Sequence, residues 1–262
     1  MTIRDALAEA ERRFAAAGID TPRVDAEWLV AHVLGVARSQ LHARDEVDAD
    51  SLEALVARRE QREPLAYVLG EWGFRRLTLK TDRRALIPRP ETETLVERAL
   101  ALIAELAQPR VLDVGAGSGA VALAIADEHP RARVTGVDTS PDALELAREN
   151  AQKLGLDVEL REAGAEVARE GWDLVVSNPP YVSADEWDAL QPEIREWEPR
   201  TALVGGRVYE SVARVARTRA LAFEVGDGDA QRVANLLSGN GYATRITRDL
   251  SGRERIVEGT RA

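Results

Sequence analysis

From Arg110 onward the chain alternates short apolar runs with helical stretches, and few folds can absorb such a pattern. Residues 111–114 form an apolar run, 115–119 a glycine-rich turn and 120–128 a helical stretch. Runs at 134–137, 158–160 and 174–176 follow, with a helix over 141–154 and a weaker helical stretch after the third run. Continuous apolar runs of this length suit strands buried on both faces, and helical crossovers between them make the strands parallel. The expected architecture is therefore α/β, a doubly wound parallel sheet. The tail breaks the alternation. A strand over 220–225 and a helix over 229–237 lead through Gly239-Asn-Gly241 to two strands, 242–248 and 254–258, joined by Asp249-Leu-Ser-Gly252. An antiparallel hairpin closing a parallel sheet departs from the standard dinucleotide-binding fold.

The first sixty residues read differently. Helical spacing at Ile3, Leu7, Ala10 and Phe14 predicts a helix over 2–17 capped by Thr2. Pro22 opens a second helix, to 34, with an apolar face of Val24, Trp28, Leu29, Ala31 and Val33. A short helix over 39–43 and one through Arg62, capped at Asp50-Ser51, complete a helical bundle. Residues 65–69, 70–74 and 77–79 have strand composition and suggest a hairpin. Pro88 and Pro90 stiffen the lead into a helix over 92–106, whose first-turn acids suit the helix dipole. The expected division is a helical bundle over 1–64, a hairpin linker over 65–90 and a catalytic domain over 91–262.

With no cysteine, the chain can have neither disulfides nor a thiolate nucleophile nor Cys-ligated zinc. The net charge of −10 argues against a broad phosphate-tracking surface, so no direct nucleic-acid contact is expected. No apolar run approaches a membrane span, and Met-Thr-Ile-Arg-Asp lacks a signal-peptide core. A monomeric cytoplasmic protein is expected. His32, His42 and His129 are scattered, and no metal is expected.

Two stretches carry chemistry. The run 174–176 stops at Ser177-Asn178, and Pro179 and Pro180 follow. Proline restrains the residue before it to extended backbone, which places Asn178 at the carboxyl end of a strand, where open α/β sheets bind ligands. The Asn178 side-chain oxygen and the Pro179 carbonyl are acceptors, and Tyr181 adds a flat face; together they suit a planar –NH2 group. Asn178, Pro179, Pro180 and Tyr181 are thus the candidate catalytic residues. The second stretch is Asp113-Val-Gly115-Ala116-Gly117-Ser118-Gly119, with Asp138 ending the next strand. Glycines there allow close backbone approach, and a strand-ending carboxylate can accept from both hydroxyls of a ribose. Gly115-x-Gly117-x-x-Ala120 also fits a relaxed dinucleotide fingerprint. Three features favour S-adenosyl-L-methionine over NAD: Asp113, placed to meet a cationic amine; Gly119, which extends the pattern; and the amine-accepting turn at Asn178.

With those residues stated, the chain resembles the HemK/PrmC family of peptide chain release factor glutamine N5-methyltransferases. The resemblance runs through Arg62-Glu-Pro-Leu-Ala-Tyr67-Val-Leu-Gly70-Glu-Trp72 and Leu86-Ile-Pro-Arg-Pro-Glu-Thr-Glu93. It continues through the glycine-rich loop, Val176-Ser-Asn-Pro-Pro-Tyr181, Ala202-Leu-Val-Gly-Gly206 and Phe223-Glu-Val-Gly226. It implies a Rossmann-like (class I) methyltransferase sheet with a C-terminal antiparallel hairpin, S-adenosyl-L-methionine as cofactor, the glutamine of a Gly-Gly-Gln loop on bacterial-type release factors as target, and N-terminal helices that help dock that protein. Asn-Pro-Pro-Tyr is shared with adenine-N6 and some guanine-N2 methyltransferases, so the turn by itself specifies only amine transfer. Two departures stand out. Ala163-Gly164 replaces the acidic or aromatic residue expected near the adenine, leaving that contact to backbone or to Glu162. The segment from Gly206 to Ala220 is shorter than the family's.

Overall fold

The computed structural model describes residues 1–205 and 207–261; Gly206 and Ala262 lie outside the described residues, as does the side chain of His42. The chain forms two compact units: Met1–Glu71 with Leu190–Trp197, and Trp72–Ala189 with Glu198–Ala262. The eight-residue return to the first unit is not foreshadowed by any linear boundary in the sequence.

The first unit is helical. Helix α1 (Ile3–Ala16) starts where the Thr2 side chain accepts the Asp5 N–H, and it buries Ile3, Ala6, Leu7, Ala10 and Phe14. Helix α2 (Pro22–Leu34) has Pro22 at its first turn and ends on left-handed Gly35. Its buried face is Asp25, Ala26, Leu29, Val30 and Ala31, whereas Val24 and Trp28 are exposed. The expected face was thus rotated. Apolar residues surround this helix, and the face is chosen by Asp25, which is drawn inward by Arg59 at 2.7 Å. A 3₁₀ turn covers Arg38–Ala43. Helix α3 (Ala49–Glu60) is capped by Asp48, whose carboxylate accepts the Ser51 N–H, rather than by Asp50-Ser51.

Residues Leu65–Leu69, expected as strand, form helix α4. Pro64 supplies the first acceptor, to the Tyr67 and Val68 N–H groups. Arg58 donates to the carbonyls of Tyr67 and Val68, satisfying the last turn of a helix too short to stand alone. Helix α8 (Pro192–Trp197) belongs to this unit. Its Glu193 takes bonds from Arg59 and Arg62, completing a buried ionic cluster with Asp25. Removing one partner from such a cluster would strand a buried charge.

The hairpin β1 (Glu71–Phe74) and β2 (Leu77–Lys80), which lies in the second unit but for Glu71, is followed by α5 (Pro90–Ile103). The alternating region follows as β3 (Arg110–Val114), α6 (Ala120–Glu128), β4 (Arg133–Asp138), α7 (Pro141–Leu154), β5 (Glu159–Glu162) and β6 (Trp172–Ser177). Helix α9 (Val208–Val215), β7 (Thr218–Glu224), α10 (Ala230–Gly239), β8 (Ala243–Arg248) and β9 (Glu254–Thr260) complete it. The seven strands run in the order β5-β4-β3-β6-β7-β9-β8, parallel except for β9, which pairs antiparallel with both β7 and β8. This is the expected parallel sheet with its antiparallel tail.

Alternate residues of the central strands serve two cores. Val111, Leu174, Val176 and Ala222 meet α5 and α6; Leu112, Val175, Leu221 and Phe223 meet α9 and α10. Both faces are covered, so the strands read as continuous apolar runs. Strand order reverses between β3 and β6, the switch point at which such sheets open a crevice. Among the described residues, no helix is long and apolar enough to cross a membrane, and no group of His, Cys, Asp and Glu could hold a metal ion.

Candidate functional site

Polar residues lie at or just past the carboxyl ends of four adjacent strands: Asp113 in β3, Asp138 at the end of β4, Asn178 after β6 and Glu224 at the end of β7. Register places them together. Asp113 sits opposite both Gly136 and Val176, and Ser177 opposite Phe223, so Asn178 and Glu224 leave the sheet side by side. A cavity of about 370 Å³ lies over the first three. Asp113, Gly115, Ala116, Gly117, Ser118, Asp138, Asn178, Pro179 and Pro180 all contribute to its wall.

The glycine-rich loop is held by its neighbours. Gly115 and Ala116 donate to the Val137 carbonyl, and Gly117 donates to Asp138 Oδ2 at 2.9 Å. Asp138 Oδ1 accepts the Ser140 N–H at 2.9 Å, while Ser140 caps α7. Each Asp138 oxygen keeps a further lone pair for a ligand. Gly119 does not line the cavity. It has φ +83° at the N-terminus of α6, and an added Cβ would sit 3.0 Å from Leu123 Cδ1, so its role is the turn itself.

Asp113 is buried, and its Oδ2 accepts the Ala122 N–H at 3.1 Å. Burial pushes its carboxyl up to about 7, the Ala122 N–H opposes the rise, and the Asp138 carboxylate adds to it. A desolvated carboxylate facing a cavity, beside close-approach glycines and a strand-ending acid, suits a nucleoside that carries positive charge. The native state therefore holds a proton that the unfolded chain has already released between about pH 4 and 7, and stability falls as pH rises through that window. Without ligand, the melting temperature is expected to be lower at pH 8 than at pH 6. A cationic ligand should stabilise the protein more at pH 8, where Asp113 is ionised. A melting temperature that stays flat or rises from pH 6 to pH 8 would refute this reading of Asp113.

Asn178 and its surroundings were only partly anticipated. Its Nδ2 donates to Thr92 Oγ1 at 3.0 Å, which leaves the side-chain oxygen for other partners. Thr92, in the first turn of α5, also lines the cavity. Tyr181 does not: its ring packs against Gly226, and its hydroxyl donates to Glu224 Oε1 at 3.3 Å. The flat face expected beside a target amide is thus tied to the end of β7. Glu224 is fully buried, and among the described residues its Oε2 has no hydrogen-bond partner.

The remaining wall comes from residues 84–89, Ala163, Gly164, Ala165, Pro199, Thr201, Ala202, Gly205 and Val208. At the expected adenine position, Ala163-Gly164 present small residues and backbone, while Glu162 is exposed and lies outside the wall. Buried Glu198 accepts the Ile87 N–H and pairs with Arg89, fixing the proline-stiffened segment over the cavity. Gly205 touches Pro180 so closely that an added Cβ would stand 2.3 Å from the Pro180 Cβ. Sequence reasoning passed over Thr92, Glu198 and Glu224. Glu224 carried a usable signal, since an acid ending a buried apolar strand is what marked Asp138.

Residues 5–70 match the PrmC N-terminal domain, and residues 92–195 match the methyltransferase small domain. A release factor glutamine methyltransferase from Deinococcus radiodurans is 40% identical, with 100% of this chain and 99% of that one covered. One from Geobacter sulfurreducens is 38% identical over 98% and 96% of the two chains. The hMettl16 catalytic domain shares the fold, with a TM-score of 0.55 at 11% identity over 83% of this chain and 84% of that one. The chain belongs to the release factor glutamine methyltransferase family.

Proposed function

We propose that this protein transfers a methyl group from S-adenosyl-L-methionine to the side-chain nitrogen of a glutamine, that of the Gly-Gly-Gln loop of a peptide chain release factor. The observation that carries the reading is the orientation of Asn178. Its nitrogen is engaged by Thr92, so its oxygen is the end available to a ligand, beside a cavity floored by Asp113 and Asp138.

The cofactor supplies an electrophilic methyl group on a sulfonium. The chain's own residues do the rest. Asp138, already ordered by two backbone N–H groups, would accept from the ribose hydroxyls, and Asp113 would meet the cationic amine. The wall at Ala163–Ala165 offers backbone to the base. A carboxamide nitrogen is a poor nucleophile because its lone pair is delocalised into the carbonyl. The Asn178 oxygen and the Pro179 carbonyl each accept one N–H and hold that nitrogen with its lone pair toward the methyl, which is catalysis by positioning. The same two acceptors stabilise the positive charge that grows on nitrogen during transfer. No strong base is needed beforehand, because the methylated nitrogen is acidic and gives up its proton to solvent. Pro180 keeps the turn rigid, and Tyr181 anchors it to the end of β7. The helical unit, which matches the PrmC N-terminal domain, contributes to docking the release factor.

The test offers labelled S-adenosyl-L-methionine with three acceptors in parallel: a purified bacterial-type release factor, adenine- or guanine-containing RNA, and DNA. Label in the release factor alone is the expected result. Label in nucleic acid would replace this function with an amine methyltransferase acting on bases, which the Asn178 turn could also serve.

A further inference from the structure

We infer that Asn150, buried in α7 and outside the cavity wall, is a positioning residue for cofactor binding: it clamps the glycine-rich loop to strand β2 and makes that strand part of the cofactor site. The inference rests on the reading of the cavity as the S-adenosyl-L-methionine site.

Helix α7 buries a face of Ala143, Leu144, Leu146, Ala147 and Asn150. The spacing suits an apolar residue at the last position, yet an asparagine stands there and is 0% exposed. A buried amide costs free energy unless its polar atoms are bonded, and both are. Oδ1 accepts the Lys80 N–H at 2.7 Å, while Nδ2 donates to the Lys80 carbonyl at 3.2 Å and to the Ser118 carbonyl at 3.0 Å. Only one orientation of the amide satisfies this set. A flipped side chain would turn its donors on the Lys80 N–H and its oxygen on two carbonyls. All three partners are main-chain groups, so Asn150 fixes backbone.

The backbone it fixes belongs to the cofactor loop. Gly117 and Ser118 are consecutive in that loop, and both line the cavity. Gly117 donates its N–H to Asp138, which also accepts the N–H of Ser140, the N-cap of α7. Asn150, further along the same helix, takes the Ser118 carbonyl. One helix thus holds this piece of cavity wall at both ends. The same side chain takes both main-chain groups of Lys80, the last residue of β2. Beside it, Glu149 pairs with Lys80 Nζ at 2.6 Å and with Arg84 at 2.9 Å, and Arg84 begins the segment 84–89 that lines the cavity. The sequence marks the hairpin only as a linker, yet β2 ends where Asn150 ties it to the loop.

Without the amide, the Ser118 carbonyl and both Lys80 groups lose their partner. The loop relieves that loss by turning toward water. Only the fraction of molecules with the loop in place then binds the cofactor, and apparent affinity falls by that fraction. Turnover of the bound cofactor is spared, because the clamp holds the loop and not the Asn178 turn. The coupling is reciprocal: a contact that favours cofactor binding is favoured by the cofactor to the same degree.

The experiment combines calorimetric titration with S-adenosyl-L-methionine, kcat on release factor at saturating cofactor, and hydrogen exchange at the Lys80 amide. It compares the wild type with Asn150→Ala, Asn150→Asp and Lys80→Ala. Asn150→Ala is expected to bind the cofactor about 10- to 100-fold more weakly, with kcat little changed. Asn150→Asp keeps an acceptor for the Lys80 N–H but aims a carboxylate oxygen at two carbonyls, and should bind at least as weakly. Lys80→Ala loses the Glu149 pair, keeps the main-chain bonds and should bind as the wild type does. In the wild type, the cofactor should slow exchange of the Lys80 amide, which lies outside the cavity wall. In Asn150→Ala the cofactor should leave that amide unchanged, a difference that a merely structural asparagine would not produce. Wild-type affinity in Asn150→Ala or Asn150→Asp would overturn the clamp and leave the cofactor site standing. So would binding by Lys80→Ala as weak as that of Asn150→Ala. Exchange at Lys80 that ignores the cofactor in the wild type would overturn it as well, and that measurement needs no variant to fold. A wild type that binds no S-adenosyl-L-methionine would overturn the reading of the cavity itself.

Discussion

Replacing Asn178 by alanine is expected to lower turnover by about 10²–10³-fold while cofactor affinity stays within a few-fold of wild type. The side chain donates to Thr92, which leaves its oxygen for the target amide under the proposed function, so its loss would remove an acceptor from the reacting nitrogen. That acceptor counts most when nitrogen carries developing charge, so the effect falls on kcat more than on KM. The backbone should hold, because Pro179 and Pro180 restrain the turn independently of the side chain. Single-turnover transfer measured beside calorimetric cofactor titration separates the two quantities. Near-native turnover in the alanine variant would show that the target nitrogen is held by other groups.

The second large effect is expected on binding. Asp138→Ala removes the acceptor for the Gly117 and Ser140 N–H groups as well as the lone pairs offered to ribose. Hydrogen bonds to a charged group contribute about 1.5–3 kcal/mol each. Losing two or more together should weaken cofactor binding by about 100-fold or beyond. The carboxylate that fixes the loop would, under the proposed function, also read the ligand, so both contributions should be lost together. Asp138→Asn keeps one acceptor oxygen but turns an N–H toward a backbone donor, and should fall between alanine and wild type. An alanine variant that binds S-adenosyl-L-methionine within threefold of wild type would remove Asp138 from the ribose site. Titration calorimetry reads this directly.

The sheet was legible because its strands are buried on both faces and so declare themselves as uninterrupted apolar runs, as at 111–114 and 174–176. The cofactor loop and the Asn178 turn were legible because glycine and proline restrict backbone geometry locally. What was missed depends on partners distant in sequence. Leu65–Leu69 has a strand's composition, yet Arg58 closes its carbonyls into a helical turn. The buried face of α2 is turned by Asp25 finding Arg59, and Leu190–Trp197 joins the helical unit through Glu193. Thr92 reads as an ordinary helix-start residue, and only the fold brings it against Asn178. Tyr181 was legible as part of the turn, but the partner of its hydroxyl, the buried carboxylate of Glu224, was invisible to local sequence.

The most direct test maps the transferred methyl group to its atom. A bacterial-type release factor would be incubated with this protein and S-adenosyl-L-methionine, beside a copy whose Gly-Gly-Gln glutamine is alanine, and both fragmented by mass spectrometry. One methyl on the side-chain nitrogen of that glutamine, and none on the alanine copy, is the expected result. A methyl on any other atom, or equal labelling of the two factors, would contradict the assignment of Asn178 and Pro179 as acceptors for a glutamine amide.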